Sequence, residues 1–251
     1  MIKYLALAIG LASTSAFAAS TVGNMSEIPT TTSDSKKGFH GQVGLGVASM
    51  PEYIGGEDNE SVGVPLINVS YNDRFYFKFN KLGAWVFKSD NGFRVGGLIT
   101  AHRGFDAKDV DVNRPAYDRE DSTMAGVNMQ FTRGKFSSEA GILKDVSDES
   151  EGAKMYIQAG YTFLANAKYS MTAMAKIESL DDEMAGYYYR NYESTVNATL
   201  GLVGTYKITD RWTLLGAVTA TSLGDEATEG TNTWVTEDSY SQALIGATYS
   251  F

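Results

Sequence analysis

From Gly38 to the last residue, apolar and polar positions alternate with a period of two. Within 239–251, Ser241, Ala243, Ile245, Ala247, Tyr249 and Phe251 share one face; Gln242, Gly246, Thr248 and Ser250 share the other, and Leu244 breaks the pattern. Within 192–206, Val196, Ala198, Leu200, Leu202 and Tyr206 alternate with Glu193, Thr195, Asn197, Thr199 and Thr205. The stretches 155–163 and 167–177 repeat the scheme, with Met155, Ile157, Tyr161, Met171 and Ile177 among the apolar set. Such alternation places one face of a strand in an apolar medium and the other in a polar one. The segments run to ~10 residues, the length a tilted strand needs to cross a bilayer.

A soluble sandwich also alternates, so the connections decide. Five short turns carry an aromatic on each side: Tyr71 and Phe75, Phe87 and Phe93, Phe131 and Phe136, Phe163 and Tyr169, Tyr206 and Trp212. Rings on the apolar face beside every short turn predict a girdle at one membrane interface. The other connections, 49–61, 104–121, 144–154, 178–191 and 224–238, are long and hold 23 of the 30 acidic residues. Short turns at one end and long loops at the other match the periplasmic and outer ends of an outer-membrane barrel. Two periplasmic termini require an even number of strands. Strands are expected at 39–48, 62–71, 74–80, 84–89, 92–103, 122–132, 136–145, 154–163, 167–178, 192–206, 211–222 and 239–251. The fold expected is therefore all-β, a transmembrane antiparallel up-and-down barrel of twelve strands over 38–251. The stretch 74–89 must be split at Lys81-Leu82-Gly83 to reach twelve; the alternative is ten.

The first residues set the compartment. Lys3, the apolar run Tyr4–Ala12 and the Ala16-Phe17-Ala18 ending make 1–18 a secretory signal peptide, and the run is too short to span a bilayer as a helix. The Ser/Thr-rich segment 19–37 reads as a flexible periplasmic tail. Composition then narrows the function classes. The chain lacks cysteine, which excludes disulfide scaffolds and thiol chemistry. Its net charge of −9 argues against nucleic acid as a partner. Thirty aromatic residues, 15 Tyr, 12 Phe and 3 Trp, are too many for a disordered acidic chain.

Several short motifs follow in order: Gly44-Leu45-Gly46-Val47, Pro51-Glu52-Tyr53-Ile54-Gly55-Gly56, Val64-Pro65-Leu66, Arg74-Phe75-Tyr76, Leu82-Gly83 and Arg103-Gly104. Their succession resembles the MipA/OmpV family of MltA-interacting proteins, best over 43–104 and again in the C-terminal strand. The resemblance implies an outer-membrane barrel of a Gram-negative bacterium, surrounded by lipid and lipopolysaccharide. It further implies a scaffold that links a murein transglycosylase to a peptidoglycan synthase, or else a porin-like channel or an adhesin. The family motif residues here are Pro51, Tyr53, Gly55, Pro65, Arg74, Phe75, Gly83, Arg103 and Gly104, and none is catalytic. Tyr249 and the terminal Phe251 resemble the signature read by the barrel-assembly machinery.

Candidate chemistry is sparse. His40 and His102 fall on the lumen-facing parity of their strands, and no motif ties a Ser or Asp to either, so no enzyme activity and no cofactor are expected. Lys78, Arg94, Glu139, Lys168, Lys176 and Glu193 share that parity and either line a water path or pair with one another, pairing being the expectation. The acidic loops lack the spacing of an EF-hand and read chiefly as a solvated face, with Ca²⁺ or Mg²⁺ bridging to lipopolysaccharide as a lesser option.

Overall fold

A computed structural model describes residues 37–110, 116–229 and 233–251. Twelve antiparallel strands close into one barrel, each beside its neighbour in sequence, with β1 sealing against β12. They are β1 (Phe39–Pro51), β2 (Asn59–Tyr71), β3 (Phe75–Lys78), β4 (Lys81–Lys88), β5 (Phe93–His102) and β6 (Ser122–Arg133), then β7 (Phe136–Asp145), β8 (Ala153–Ala165), β9 (Tyr169–Leu180), β10 (Thr195–Lys207), β11 (Trp212–Ser222) and β12 (Ser239–Ser250). Closure leaves no free end strand, the condition for placing a sheet in lipid. Phe251 completes the seam, since its N–H donates to the Gly41 carbonyl and its carbonyl accepts from the Gly41 N–H. The ten-strand alternative is excluded. The signal peptide and nearly all of the 19–37 tail lie outside the described residues.

The alternation has the expected consequence. Outward positions such as Leu45, Ile99, Val127, Ile157, Leu200 and Ile245 are exposed on the wall, while inward positions such as Asn128, Gln158, Thr199 and Gln242 are buried. The lumen nevertheless holds an apolar belt. Ala48, Val64, Leu66, Phe79, Met174, Val203, Leu215, Ala217 and Leu244 pack together inside the barrel. Leu244, the break in the alternation of the last strand, is one of them.

Several strand ends depart from expectation, and in both directions. β1, β2 and β9 run further toward the long loops than expected, so Glu178, the expected boundary residue, stands inside a strand, whereas β10 begins three residues later than expected. The turn assigned to Lys81-Leu82-Gly83 lies instead at Phe79-Asn80, and those three residues belong to β4. Phe79 takes a left-handed backbone (φ 53) and donates its N–H to the Ile67 carbonyl at 2.7 Å. A non-glycine residue there is strained; burying the ring in the apolar belt offsets the cost.

At the long-loop end the connections fold inward. Helix α1 (Asp182–Tyr188) starts on an Asp181 side chain that accepts from the Met184 N–H, and Asp181 also accepts from the Ala153 N–H. A short helix α2 (Asp225–Thr228) follows β11. Tyr53, Phe105, Met184, Tyr188, Tyr189, Trp234 and Val235 form a buried cluster with Leu98, Met124 and Tyr156 from the wall, and so cover the barrel mouth.

Candidate functional site

The β3–β4 hairpin is too short to line the full height of the wall. β3 pairs with β2 only from Asn68 to Tyr71, and β4 pairs with β5 only as far as Leu82–Ile99. Beyond the tip at Phe79-Asn80, no strand among the described residues lies between Asn59–Leu66 of β2 and Thr100–His102 of β5. At ~3.3 Å per residue, that leaves roughly 26 Å of β2 edge without a neighbouring strand. Because the Ile67 carbonyl points toward β3, alternation turns the backbone of Pro65, Gly63 and Ser61 to the same open side. Proline lacks an N–H to give a neighbour, which explains how Pro65 sits inside a 13-residue strand: it stands on a free edge.

Arg103 bridges the notch. Its Nη1 donates to the Pro51 carbonyl at 3.0 Å; its Nη2 donates to the Glu52 carbonyl at 2.8 Å and to Glu60 Oε1 at 2.7 Å. The guanidinium is buried, which lowers its pKa, and the adjacent Glu60 carboxylate opposes that shift. Arg103 thus ties the end of β5 to β1 and to the β2 lip. Asn80 Nδ2, at the hairpin tip, donates to the Ala101 carbonyl on the other lip.

Pro51, Pro65, Arg103 and Gly104 border this feature, and the other motif residues lie along the hairpin or in the loop cover. Gly104 follows Arg103 so closely to the opposite chain that a Cβ would sit 1.7 Å from the Arg119 carbonyl oxygen; its N–H donates to Asp121. Gly83 faces Tyr76, whose ring would lie 2.3 Å from an added Cβ. Arg74 Nε donates to the Trp85 carbonyl within the same hairpin. Tyr53 packs on Phe105, and Gly55, at φ 81, offers its carbonyl to the Thr236 and Glu237 N–H groups. Phe75 points outward at the short-turn end.

Behind the notch lies a cavity of about 80 Å³, lined among others by Asn80, Lys81, Ala101, His102, Arg103, Lys154, Lys176 and Glu178. Lys176 Nζ is 2.8 Å and Lys154 Nζ 3.7 Å from Glu178 Oε2. Lys154 Nζ is also 3.1 Å from His102 Nδ1, while His102 Nε2 has no hydrogen-bond partner among the described residues. Below, Glu139 accepts from the Tyr156 hydroxyl and from Asn128 Nδ2, and Lys81 is 3.7 Å away.

The remaining sequence candidates scatter. His40, Lys78 and Arg94 line a separate cavity of about 170 Å³ at the short-turn end, together with Asp73. His40 Nε2 is 2.9 Å from Asp73 Oδ1, a partner that no sequence motif announced, and Nδ1 is 3.3 Å from the Gly38 carbonyl. With both ring nitrogens on acceptors, neither is placed to take a proton from a nucleophile. Lys168 sits in a turn, exposed, beside a third cavity. Glu193 is not in the lumen: β10 begins only at Thr195, so the parity that placed it inside does not reach it, and it is exposed. Lys81, Lys154 and Glu178 are lumen charges that the alternation did not flag: the expectation put Lys81 in a turn, and Lys154 and Glu178 on boundaries shared by strand and loop. Among the girdle residues, Tyr71, Phe75, Phe87, Phe136, Phe163, Tyr169, Tyr206 and Trp212 are exposed and Phe93 and Phe131 half-buried; Phe87 stacks near Phe93, Phe131 near Phe136, and Trp212 near Tyr249.

In the acidic loops, Asp145 accepts from the N–H and hydroxyl of Ser147 and of Ser150 and from the Glu151 N–H, so that carboxylate is spent on folding its own loop. No group of three acidic or histidine side chains suited to a metal ion occurs among the described residues.

The chain is similar in fold to an outer membrane channel from Pseudomonas putida F1, at 10% identity over 89% of this chain and 99% of the other, with a TM-score of 0.46. It is likewise similar to OmpT, an outer membrane protein of Vibrio cholerae, at 10% identity over 88% and 99% of the two chains, with a TM-score of 0.41. Comparison with curated protein sequences gives no match. The profile described as MltA-interacting protein MipA matches residues 43–251, which include all twelve strands save the first four residues of β1. This chain, an outer-membrane barrel protein, belongs to the MipA family.

Proposed function

We propose that this protein is a structural scaffold of the Gram-negative outer membrane that holds a murein transglycosylase, and through it a peptidoglycan synthase, against the inner face of that membrane. The family's description, an MltA-interacting protein, carries this reading. A closed interior supports it: the apolar belt occupies the lumen and the loop cluster covers the mouth, so the barrel is built for rigidity ahead of transport. On this reading the short-turn end and the N-terminal segment face the periplasm and meet the enzymes, and the barrel itself performs no catalysis.

The test is a pull-down with the full chain in mild detergent against a purified murein transglycosylase of the MltA type. Co-purification is expected, together with the absence of conductance steps in a planar bilayer. Failure to bind, with clear single-channel steps, would replace the scaffold by a porin-like channel.

A further inference from the structure

We propose that the notch between β2 and β5 is a lateral portal through which the net-anionic, phosphate-bearing head group of a membrane lipid reaches the cavity behind it. The position of the cavity is the first argument. The apolar belt lies below it and the loop cluster above it. Where the β3–β4 hairpin stops short, the described residues put no strand in the side wall, and only the Arg103 and Asn80 side chains cross it. Ala101 alternates to the outer face of β5 yet lines the cavity, so the space reaches into the plane of the wall.

The lining chemistry is the second argument. Lys81, Arg103, Lys154 and Lys176 line the cavity; Arg103 pairs with Glu60, Lys81 with Glu139, and Lys154 and Lys176 share Glu178, so four cations meet three carboxylates and one positive charge is in excess. His102, 7% exposed, keeps an unpartnered Nε2 there. Cations and fixed polar donors lining one pocket suit a phosphate oxygen, which accepts charge-assisted hydrogen bonds.

Size then distinguishes a lipid head from a whole amphiphile. About 80 Å³ admits on the order of five waters, which is enough for a phosphate and far too little for an acyl chain. The chains must stay outside, where Ile67, Leu82 and Ile99 flank the hairpin tip on the outward face.

The experiment uses the full chain in nanodiscs of phosphatidylcholine containing a minor fraction of phosphatidylglycerol, then mild detergent extraction and native mass spectrometry. One phosphatidylglycerol retained per barrel is expected, with phosphatidylcholine lost. Removing two cavity cations in Lys154→Gln/Lys176→Gln should lower retention at least about tenfold. Ala101→Trp leaves every cavity charge in place but fills the notch, and should abolish lipid retention while the barrel keeps its heat-modifiable migration. Equal retention of both lipids, or retention unchanged in Ala101→Trp, would overturn the portal. Inorganic phosphate protecting the wild type against unfolding, with no lipid retained, would assign the cavity to a free anion and overturn the lipid. None of these readouts depends on murein enzymes, so the scaffold reading stands or falls separately.

Discussion

Arg103 satisfies three acceptors at once, the Pro51 carbonyl at the end of β1, the Glu52 carbonyl just after it and the Glu60 carboxylate across the notch. Losing such a group leaves a partly buried carboxylate and two carbonyls without their donor. Arg103→Gln is therefore expected to destabilise the barrel by about 2 kcal/mol in urea unfolding followed by tryptophan fluorescence. Arg103→Lys should recover less than half of this, because a single ammonium cannot reproduce the planar fork. The tyrosines of the mouth give a pH dependence. Burial pushes the Tyr189 and Tyr188 phenols above the ordinary tyrosine value. Their folded-state pKa exceeds the unfolded one, so the stabilisation is complete below pH ~10 and is lost as pH rises from there through the folded value. Alkaline titration should thus loosen the loop cover before the strands, read as faster proteolysis of the loops while the β-sheet circular dichroism persists. An unchanged cleavage rate above pH ~10 would remove these phenols from the cover's stability.

The β3–β4 hairpin shows why some elements could be read from sequence and this one only in part. Asn72 and Asp73, at φ 53 and 50, form a two-residue turn with both centres left-handed, the geometry that Asn and Asp tolerate. That end of the hairpin was legible. Its other end was not: Phe79 is a poor turn residue, and it adopts the left-handed backbone because its ring is buried against residues distant in sequence, such as Val203 and Leu244. The turn therefore fell three residues from where glycine at position 83 suggested. Gly83 has a packing role instead, leaving room for Tyr76. Phe79→Ala should cost about 3 kcal/mol, since it empties a packed site. If the belt is what closes the lumen, the same variant should also admit conductance steps that the wild type lacks.

For the whole molecule, the cover over the mouth is the part assembled from the most distant pieces. Trp234 is fully buried with Phe105 at its edge (5.5 Å) and the Arg119 and Arg190 guanidinium groups 4.7 and 5.6 Å from its ring centre. Trp234→Ala should release both arginines, so trypsin is expected to cut after Arg119 and Arg190 in the variant and spare them in the wild type, with the barrel intact on a gel. Cleavage unchanged from wild type would mean that the cover holds without its central ring. The sequence by itself determined the barrel: period-two alternation, short aromatic-flanked turns and long acidic loops are local properties, and a strand in lipid must display them whatever it packs against. Most of the motif residues were visible too, though only as a resemblance. What joins them was decided by tertiary structure. The strand ends, the inward folding of the loops, the apolar belt and the Arg103 bridge all depend on contacts between residues far apart in the chain. The notch arises because two strands stop early, and where a strand stops is fixed by what its last residues can bury.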